Sequence, residues 1–598
     1  MTQSTEPLAV LDRAEPAALV PTPNRCTLPR RLADFPTFVD ALDYAARGGR
    51  GLNFHDPRGN LTRPYPYSEL RADAVEVAYR LIARGIVKGD RIAMVAETGA
   101  DFAALFCGAI YAGAWPVPLP LPTSFGGKDN YIDQLSVQLR SSDPTLFFYP
   151  PEIAAMGDAA TIAHNDANGA TCTGLSWDVL MAEPAATVAL PEARGEDICY
   201  LQYSSGSTRF PHGVAVTHTS LLNNLAGHGE AMAMDKFPED RVISWLPWYH
   251  DMGLVGCFLS VIANQVSCDY LRTEDFARRP LAWLDLITRN PGTSISYSPT
   301  FGYDICARRI SSQSHVDERF DLSRWRLAGN GADMIRPDVM QGFVNAFAPA
   351  GFKASAFLPS YGLAEATLSV TIMPPGEGIR VELVEEERLS GTPRDLSRPA
   401  RYRAIVNCGK PVKDMVVEIR DGAGRPLADH HIGKVWCKGP SVMHSYFRDP
   451  ESTDACLVDG WLDTGDMGYS VDGYLFIVGR AKDMIIINGK NHWPQDIEWA
   501  VEQLPGFHQG DIAAFSLETE TGEETAAVLV HCRVSDPVER MKLKTAVAEK
   551  VRSILGHPAV VELVPPRTLP RTSSGKLSRA KAKKLYLSGE IEPLQMAA

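Results

Sequence analysis

A short run of hydroxyl residues and glycine, Ser204-Ser205-Gly206-Ser207-Thr208, is the first stretch of this chain that could bind an anion. Apolar runs at residues 198–201 and 214–216 flank it and are typical of strands. Backbone N–H groups at a strand end and hydroxyl groups can donate hydrogen bonds to phosphate oxygens. No Gly-Lys-Ser/Thr closes the run, so it is not a Walker phosphate loop. Taken alone, it is equally consistent with an ordinary turn between two strands.

Five further segments combine glycine with aromatic, acidic or basic residues. They are residues 245–253, 329–333, 359–365, 460–466 and 478–483. Residues 570–576 add a Ser-Ser-Gly-Lys ending near the C-terminus. In open α/β sheets, ligands bind beyond the carboxyl ends of the strands. We therefore expect the chemistry of this protein in these segments.

The elements around these segments alternate between strand and helix patterns, which predicts a layered α/β fold. Helical patterns cover residues 68–84 and 102–115, and we expect Asp101 to cap the second, buried helix. Strand patterns occur at residues 91–95, 146–148, 242–244, 294–296, 327–328 and 356–358. Near the C-terminus, strand patterns at residues 512–516, 526–532 and 560–564 and a helical pattern at 537–555 predict a small α+β domain.

In order and spacing, the six segments and the Ser/Gly run resemble the signatures of the adenylate-forming superfamily. This superfamily contains acyl-CoA synthetases, luciferases and peptide-synthetase adenylation domains. The resemblance covers nearly the whole chain from about residue 37. It implies that a carboxylate is joined to the α-phosphate of ATP and that pyrophosphate leaves.

The resemblance also implies roles for individual residues. Lys576 would contact the carboxylate and the α-phosphate, where a flexible cation is useful. Glu365 and Thr208 would hold Mg²⁺, and His250 would lie between the pyrophosphate exit and the acyl pocket. Asp466 and Arg480 would bind the ribose hydroxyls. The remaining nucleotide-binding positions are Ser204, Ser205, Gly206, Ser207, Asn330, Gly331, Ala332, Ser360, Tyr361 and Gly362, with Tyr361 offering its ring to adenine.

Each of these residues also has an ordinary structural reading. Lys576 could be a solvated lysine of a basic tail, and Glu365 could be a glutamate in the first turn of a helix. Tyr361 could be a core tyrosine, and His250 could be structural. The roles therefore depend on the resemblance.

Several details resemble fatty acyl-AMP ligases more than CoA ligases. Residues 207–211, Ser-Thr-Arg-Phe-Pro, match their S-T-R-x-P pattern, and His212 occupies the position of the lysine usual in CoA ligases. Asp333 departs from the glutamate common at its position. A charged, proline-broken segment at residues 373–403 matches an insertion of this branch that is thought to restrain the C-terminal domain. The alternative is that this segment is a solvated surface loop without a function.

Composition sets further bounds. A chain of 598 residues is too long for one core, and its net charge of -13 argues against nucleic acid or an anionic membrane as the main partner. The 11 cysteines contain no C-x-x-C pair, which fits reduced thiols in a cytoplasmic protein. The first residues lack the basic and apolar regions of a signal peptide, so we do not expect one, and the apolar run at residues 102–115 is too short to span a bilayer.

These observations predict a loose N-terminal arm at residues 1–36, a large adenylation domain at 37–478, a hinge at 479–483 containing Lys482, and a mobile lid at 484–598. We expect ATP- and Mg²⁺-dependent activation of a medium- or long-chain fatty acid, followed by acyl transfer to the phosphopantetheine thiol of an acyl carrier protein. The alternatives are a fatty acyl-CoA ligase or a non-catalytic nucleotide- or acyl-binding module.

Overall fold

The computed structural model describes residues 19–122, 127–203, 212–310, 315–392, 400–487, 489–518, 524–572 and 576–596, without the side chain of Asn168. Four sheets of three to nine strands lie between residues 51 and 480, and a three-stranded sheet lies in the C-terminal segment. The α-helices span Phe38–Ala45, Tyr67–Ala83, Ala100–Tyr111, Gly127–Ser142, Ala154–Asn168, Trp177–Met181, His218–Ala231, Asp251–Gly253, Ser260–Ala263, Thr273–Arg278, Leu281–Arg289, Thr300–Ile310, Val316–Arg319, Pro337–Phe347, Glu386–Ser390, Pro450–Cys456, Pro494–Glu502, Pro537–Leu555 and Arg579–Leu587.

Nine strands of the described chain form the central sheet. Six consecutive strands of this sheet are joined by five parallel pairings. Their order across the sheet is Lys410–Pro411, Ser369–Ile372, Phe357–Gly362, Trp325–Asn330, Ser294–Ser298, Arg241–Ser244, Ser267–Tyr270, Gly51–His55 and Leu61–Pro66. Parallel strands are covered by helices on both faces, so their side chains are buried throughout, as in Ser294–Ser298. The carboxyl ends of adjacent parallel strands meet at one edge, which brings the segments after residues 244, 330 and 358 together.

Two smaller sheets complete the N-terminal half. A parallel sheet has the order Trp115–Leu119, Arg91–Val95, Leu146–Phe148 and Thr173–Leu175. An antiparallel sheet contains Ser445–Tyr446, Gly213–Thr217 and Ile198–Tyr203. The last two strands are those that the apolar runs around the Ser/Gly run predicted.

A second antiparallel sheet is formed by strands between residues 416 and 480. Its strands are Val416–Arg420, Gly433–Lys438, Trp461–Val471, Leu457–Val458 and Tyr474–Arg480. The two longest strands are joined by Asp472-Gly473, both with positive φ (52° and 78°), as a two-residue hairpin turn requires. This turn, together with a register shift between Met467 and Gly468, sets the pairing of Asp466 with Arg480.

The described C-terminal residues from 485 onward have hydrophobic clusters of their own. Strands Ile512–Glu518, Glu524–His531 and Val560–Val564 form a sheet that packs against helix Pro537–Leu555, and Ile485–Ile487 pairs with Lys490–His492. The predicted α+β elements are therefore confirmed. The boundary at residue 478 and the hinge at 479–483 stay predictions.

The described part of the segment at residues 373–403 is an ordered element rather than a plain loop. Strands Val381–Glu385 and Tyr402–Val406 pair antiparallel, and the helix Glu386–Ser390 follows the first. Val384, Leu389 and Ile405 are buried together with Trp493. We call residues 381–406 the insertion hairpin.

Two sequence expectations are wrong. The buried helix spans Ala100–Tyr111 rather than 102–115, and its N-cap is Gly99, so Asp101 lies in the first turn and does not cap it. The arm is not loose at residues 22–33, because the N–H of Thr22 donates to Asn53 Oδ1 (2.8 Å) in strand Gly51–His55. Arg30 donates to several backbone carbonyls, and Ala33 is buried. Residues 1–18 lie outside the described residues.

Within the described residues, none of the helices has both the length and the apolar character needed to cross a membrane.

Candidate functional site

Asp466 and Arg480 face each other across the hairpin formed by residues 461–480. Arg480 Nε lies 3.2 Å from Asp466 Oδ1, and the hydroxyl of Tyr361 donates to Asp466 Oδ2 at 2.7 Å. Tyr361 belongs to the central sheet, so this contact joins two sheets. Burial raises the pKa of Asp466, and Arg480 opposes that shift. The carboxylate, held between a cation and a hydroxyl, can accept hydrogen bonds from a diol.

Lys576 reaches the same region from the C-terminal segment. Thr572 N–H donates to the Lys576 carbonyl (2.7 Å), Lys576 N–H donates to Thr572 Oγ1 (3.2 Å), and Arg571 bridges to Leu577. These contacts hold the backbone on both sides of residues 573–575, which lie outside the described residues. Lys576 lines a cavity together with Tyr361 and Arg480. Burial lowers the pKa of Lys576, and the carboxylates of Asp333 and Asp251 oppose that shift.

Glu365 lies in a short 3₁₀ turn, Ala364–Ala366, rather than in the first turn of an α-helix. Its carbonyl accepts from Met443 N–H (2.8 Å), and its Oε1 accepts from the hydroxyl of Tyr446 (2.9 Å). Thr367 follows with φ 67°, which is strained for a β-branched residue. Burial raises the pKa of Glu365. The turn directs a carboxylate into the wall of the cavity that Lys576 lines.

The loop after residue 330 and the strand end at 360–362 form another part of the wall. Asn330 Nδ2 donates to the Ser298 carbonyl (3.0 Å), which fixes the side chain between adjacent strands. A Cβ added to Gly331 would lie 3.0 Å from the Ser360 carbonyl oxygen, so glycine allows this close approach. Of the predicted positions, Gly331, Ala332, Ser360, Tyr361 and Gly362 line the cavity, whereas Asn330 is buried beneath it.

Asp333, the departure from the common glutamate, turns back into the protein. Its Oδ1 accepts from Thr300 N–H (3.1 Å) and from Thr300 Oγ1 (2.9 Å). Burial raises its pKa to about 6. Asp333 therefore contributes to the electrostatics around Lys576 while its side chain ties the loop to the helix Thr300–Ile310.

His250 lies at the start of the turn Asp251–Gly253, on the cavity wall. Its Nδ1 is 2.6 Å from Asp251 Oδ1, and the same carboxylate oxygen accepts from Met252 N–H (2.7 Å). Burial would raise the pKa of Asp251, but His250, Lys576 and the Met252 N–H together lower it. Asp251 therefore stays ionised and fixes the orientation of the imidazole ring.

Three sets of residues named from the sequence are not among the described residues that line the first cavity: the Ser/Gly run, His212 and Lys482. Ser204, Ser205, Gly206, Ser207 and Thr208 lie outside the described residues. His212, by contrast, is described, and its Nδ1 lies 2.9 Å from Asp449 Oδ2 while its ring is 4.7 Å from that of Tyr446. Lys482 lies in the 3₁₀ turn Ala481–Asp483 and lines a second cavity that also borders Asp466.

The two cavities adjoin, because both are lined by Ala332, Ser360, Tyr361, Gly362, Arg480 and Lys576. The second continues past Asp466, and the first continues past Glu365 and His250. This layout can hold an elongated ligand with a diol at Asp466 and anionic groups near Lys576 and Arg480.

Sequence reasoning missed several residues of the site. Tyr446 contacts Glu365 across 81 residues of sequence, and nothing in its local pattern signals that contact. Asp251 was recognisable only as the neighbour of His250. Gln202, His228, Tyr297 and Ser369 also line the first cavity, and they carry no motif.

Comparison with known proteins places the chain in a family. The AMP-binding enzyme family matches residues 54–447. A Caulobacter vibrioides protein, provisionally described as an acyl-CoA synthetase, is 45% identical over 96% of this chain and 99% of its own length. A long-chain-fatty-acid–AMP ligase of Mycobacterium marinum is 31% identical over 90% of this chain and 94% of its own.

Two further comparisons agree. A medium-chain-fatty-acid–[acyl-carrier-protein] ligase of Moorena producens is 30% identical over 94% of this chain and 96% of its own. A solved structure from a study of fatty acyl-adenylate ligases of E. coli and L. pneumophila is 42% identical, with a TM-score of 0.87, over 94% of this chain and all of its own. The chain therefore belongs to the AMP-binding enzyme family of the adenylate-forming superfamily and is an ATP-dependent ligase related to the fatty acyl-AMP ligases.

Proposed function

We propose that this protein activates a medium- or long-chain fatty acid as its acyl-adenylate and passes the acyl group to the phosphopantetheine thiol of an acyl carrier protein. The observation that carries the proposal is the position of Lys576. This lysine comes from the C-terminal segment, yet it lines the same cavity as Tyr361, Glu365 and Arg480. A cation at the meeting point of two cavities suits a reaction that joins two anions.

In the first step, a carboxylate oxygen attacks the α-phosphorus of ATP, and the bond from that phosphorus to the β-phosphate bridging oxygen breaks. Asp466 accepts hydrogen bonds from the ribose hydroxyls, and the ring of Tyr361 packs against adenine. Lys576 donates to the carboxylate and to the α-phosphate, whose charge rises in the transition state. His250, oriented by Asp251, borders the acyl side of the cavity. Ser204 to Thr208 would contribute donors to the phosphates.

The residues present fit a magnesium ion. Mg²⁺ prefers oxygen ligands and is commonly held by one or two carboxylates together with substrate phosphates. Glu365 presents such a carboxylate in the cavity wall, and Thr208 would be its partner. Such an ion would neutralise part of the charge on the phosphates.

In the second step, a thiol attacks the acyl carbonyl and AMP leaves. The choice of a carrier protein over CoA is supported by the Moorena producens relative and by the insertion hairpin, which contacts the C-terminal segment. Arg403 Nε lies 2.9 Å from Asp496 Oδ1, and Trp493 Nε1 donates to the Leu389 carbonyl (3.3 Å). We propose that these contacts restrain the motion that would admit CoA.

One experiment tests the proposal. The protein is incubated with ATP, Mg²⁺ and a series of saturated fatty acids, with either CoA or a holo acyl carrier protein, and the products are identified by mass spectrometry. We expect acyl-AMP in both reactions and acyl transfer only to the carrier protein. Efficient formation of acyl-CoA would instead support the CoA ligase alternative, which the name of the Caulobacter relative favours. No pyrophosphate release with any acid would contradict adenylation.

A further inference from the structure

Besides the charged residues around Lys576, the first cavity is lined by an uncharged group of side chains. These residues come from five different elements and from the turn before the last of them. The group comprises His228, Met252, Gly256, Tyr297, Leu368 and Ser369, and we call the space they line the acyl arm. Gly256 lies in a π-helical turn, Leu254–Leu259, and a Cβ there would come within 3.1 Å of Leu368 Cδ2. The glycine thus keeps this wall open.

A buried histidine gives the acyl arm an unusual polar wall. His228 is 2% exposed, and its Nδ1 lies 3.0 Å from Ser369 Oγ. Its Nε2 is buried and has no hydrogen-bond partner among the described residues, although the ring borders the cavity. Burial lowers the pKa of His228 to about 4, so the ring is neutral at pH 7. A neutral imidazole offers one donor and one acceptor.

The serine beside this histidine is held in place by its backbone. Ser369 N–H donates to Asn224 Oδ1 (3.1 Å), and Asn224 Nδ2 donates to the Ser369 carbonyl (2.9 Å). The Asn224 side chain is fully buried. The hydroxyl of Tyr297 adds a third polar group, whose closest contacts are long, 3.5 Å to Ser360 Oγ and 3.7 Å to Met232 Sδ. The polar wall is therefore preorganised.

A purely hydrocarbon chain would leave His228 Nε2 without a hydrogen-bond partner and would offer none to the remaining hydrogen-bonding capacity of Ser369 Oγ. Sites built to hydrogen-bond a substrate oxygen discriminate against the analogue that lacks it, because the buried groups then have no partner. A second carboxylate is also disfavoured, because the cations among the described lining residues, Lys576 and Arg480, belong to the nucleotide side. A neutral oxygen function suits the wall best.

We infer that the preferred acid carries a hydroxyl or oxo group on its chain, which hydrogen-bonds to the His228–Ser369 pair in the acyl arm. This inference rests on the proposed function and names its substrate class more closely. His228 and Ser369 act as specificity-determining residues. They bind the acyl chain and take no part in the attack on phosphorus.

The test compares unsubstituted medium-chain acids with hydroxy and oxo acids of equal length, the substituent being moved along the chain. Pyrophosphate release gives kcat/KM for each acid. In the wild type we expect the acid substituted at one particular position to have a kcat/KM roughly tenfold higher than that of the parent acid, the scale of one neutral hydrogen bond. An α,ω-dicarboxylic acid of equal length should have a lower kcat/KM than the parent acid.

Two variants connect the preference with the residues. Ser369→Ala and His228→Leu should each reduce the ratio of kcat/KM for the substituted acid to kcat/KM for the parent acid toward one, whatever the change in the absolute rates. His431→Leu, which changes an exposed histidine, is the matched control and should keep the wild-type preference. Thermal melting curves show whether each variant folds. Ser369→Ala removes only one oxygen, so it still tests the inference if His228→Leu does not fold.

The outcomes separate the two claims. Equal rates for parent and substituted acids in the wild type, or a preference that survives both variants, would overturn this inference and leave the proposed function intact. A wild type that releases pyrophosphate with none of the acids would overturn the proposed function and this inference with it.

Discussion

At the scale of single residues, the role that we propose for Lys576 depends on the balance of charge around it. Burial disfavours the charged form of this lysine, whereas Asp333 and Asp251 favour it. Asp333 and Asp251 are themselves fixed by hydrogen bonds, so the charges around Lys576 need little rearrangement when an anion binds.

Lys576→Ala is expected to lower the adenylation rate by roughly 10²–10³, the scale of one preorganised group that stabilises developing charge. The dissociation constant for ATP should change little, because most of the cavity wall comes from residues before 481. Pyrophosphate release and ATP titration measure the two effects. Lys581→Ala, at an exposed lysine of the same segment, is the control. Near-normal pyrophosphate release by Lys576→Ala would contradict the role of this lysine.

Glu365→Gln keeps the shape of the side chain but removes its charge. If Glu365 holds Mg²⁺, the half-saturating magnesium concentration should rise along with the loss of rate. Tyr446→Phe removes the hydroxyl that contacts Glu365 Oε1 and should have a weaker effect in the same direction. A magnesium titration of each variant measures this. A lower rate with an unchanged titration would indicate that Glu365 positions something other than the metal.

The sequence allowed only some of these residues to be recognised. Lys576, Glu365, Asp466 and His250 lie in segments whose order along the chain is distinctive. Tyr446 and His228 lie outside such segments, and their roles come from contacts that only the fold creates. A single chain contains no signal for such contacts.

At the scale of elements, prediction succeeded where periodicity was strong. Strand Arg91–Val95 and helix Pro537–Leu555 have the predicted bounds, because short buried strands and long helices leave clear patterns. The insertion hairpin did not show such a pattern. Strand Val381–Glu385 alternates weakly, and its partner Tyr402–Val406 lies beyond several prolines and charges. Its stability comes from packing against Trp493, which sequence patterns do not reveal.

The insertion hairpin is anchored to the C-terminal segment through Arg403. Its guanidinium contacts Asp496, donates to the Val478 carbonyl (3.2 Å) and lies 5.6 Å from the ring centre of Trp499. Replacing Arg403 alone would leave the partly buried carboxylate of Asp496, whose side chain is 27% exposed, without its partner, which is costly in itself. The double variant Arg403→Met/Asp496→Asn removes the ion pair without leaving a charge behind.

If the hairpin restrains the C-terminal segment, this double variant should be cleaved faster by trypsin near Arg480 and Lys482. It should also form some acyl-CoA while adenylation persists. Arg425→Met, at an exposed arginine on another hairpin, is the control. Equal cleavage and an unchanged product ratio, measured at matched adenylation rates, would show that the hairpin does not act as a restraint.

At the scale of the whole molecule, a second contact joins the C-terminal segment to the helix Pro337–Phe347, which Arg336 precedes. Arg336 Nη1 lies 2.6 Å from Glu502 Oε2, and Glu502 Oε1 accepts from Gly510 N–H (2.7 Å). Both side chains are largely buried, and Arg336 also pairs with Asp338 (2.8 Å). Arg336 follows Asp333 by three residues, so this contact connects the loop that lines the second cavity with the C-terminal segment.

Burial raises the pKa of Glu502 to about 7 from its ordinary 4.5, although the Gly510 N–H and Arg336 oppose the shift. If the C-terminal segment swings away, Glu502 returns to water and its pKa falls back. The closed state then binds more protons between about pH 4.5 and 7, so acid favours closure, and a rise in pH through 7 favours opening. Burial raises the pKa of Asp496 to about 6, which acts in the same direction.

We therefore expect acyl transfer to a carrier protein, which needs the segment to open, to accelerate between pH 6 and 8 more steeply than adenylation does. Glu502→Gln is neutral at every pH and should flatten the difference between the two profiles. Glu549→Gln, at an exposed glutamate of the same segment, should keep the wild-type profiles. Trypsin cleavage near Arg480, followed at the same pH values, reports opening without chemistry. If the wild type and Glu502→Gln show the same pH dependence in both measurements, the carboxylate is a structural contact and opening is governed elsewhere.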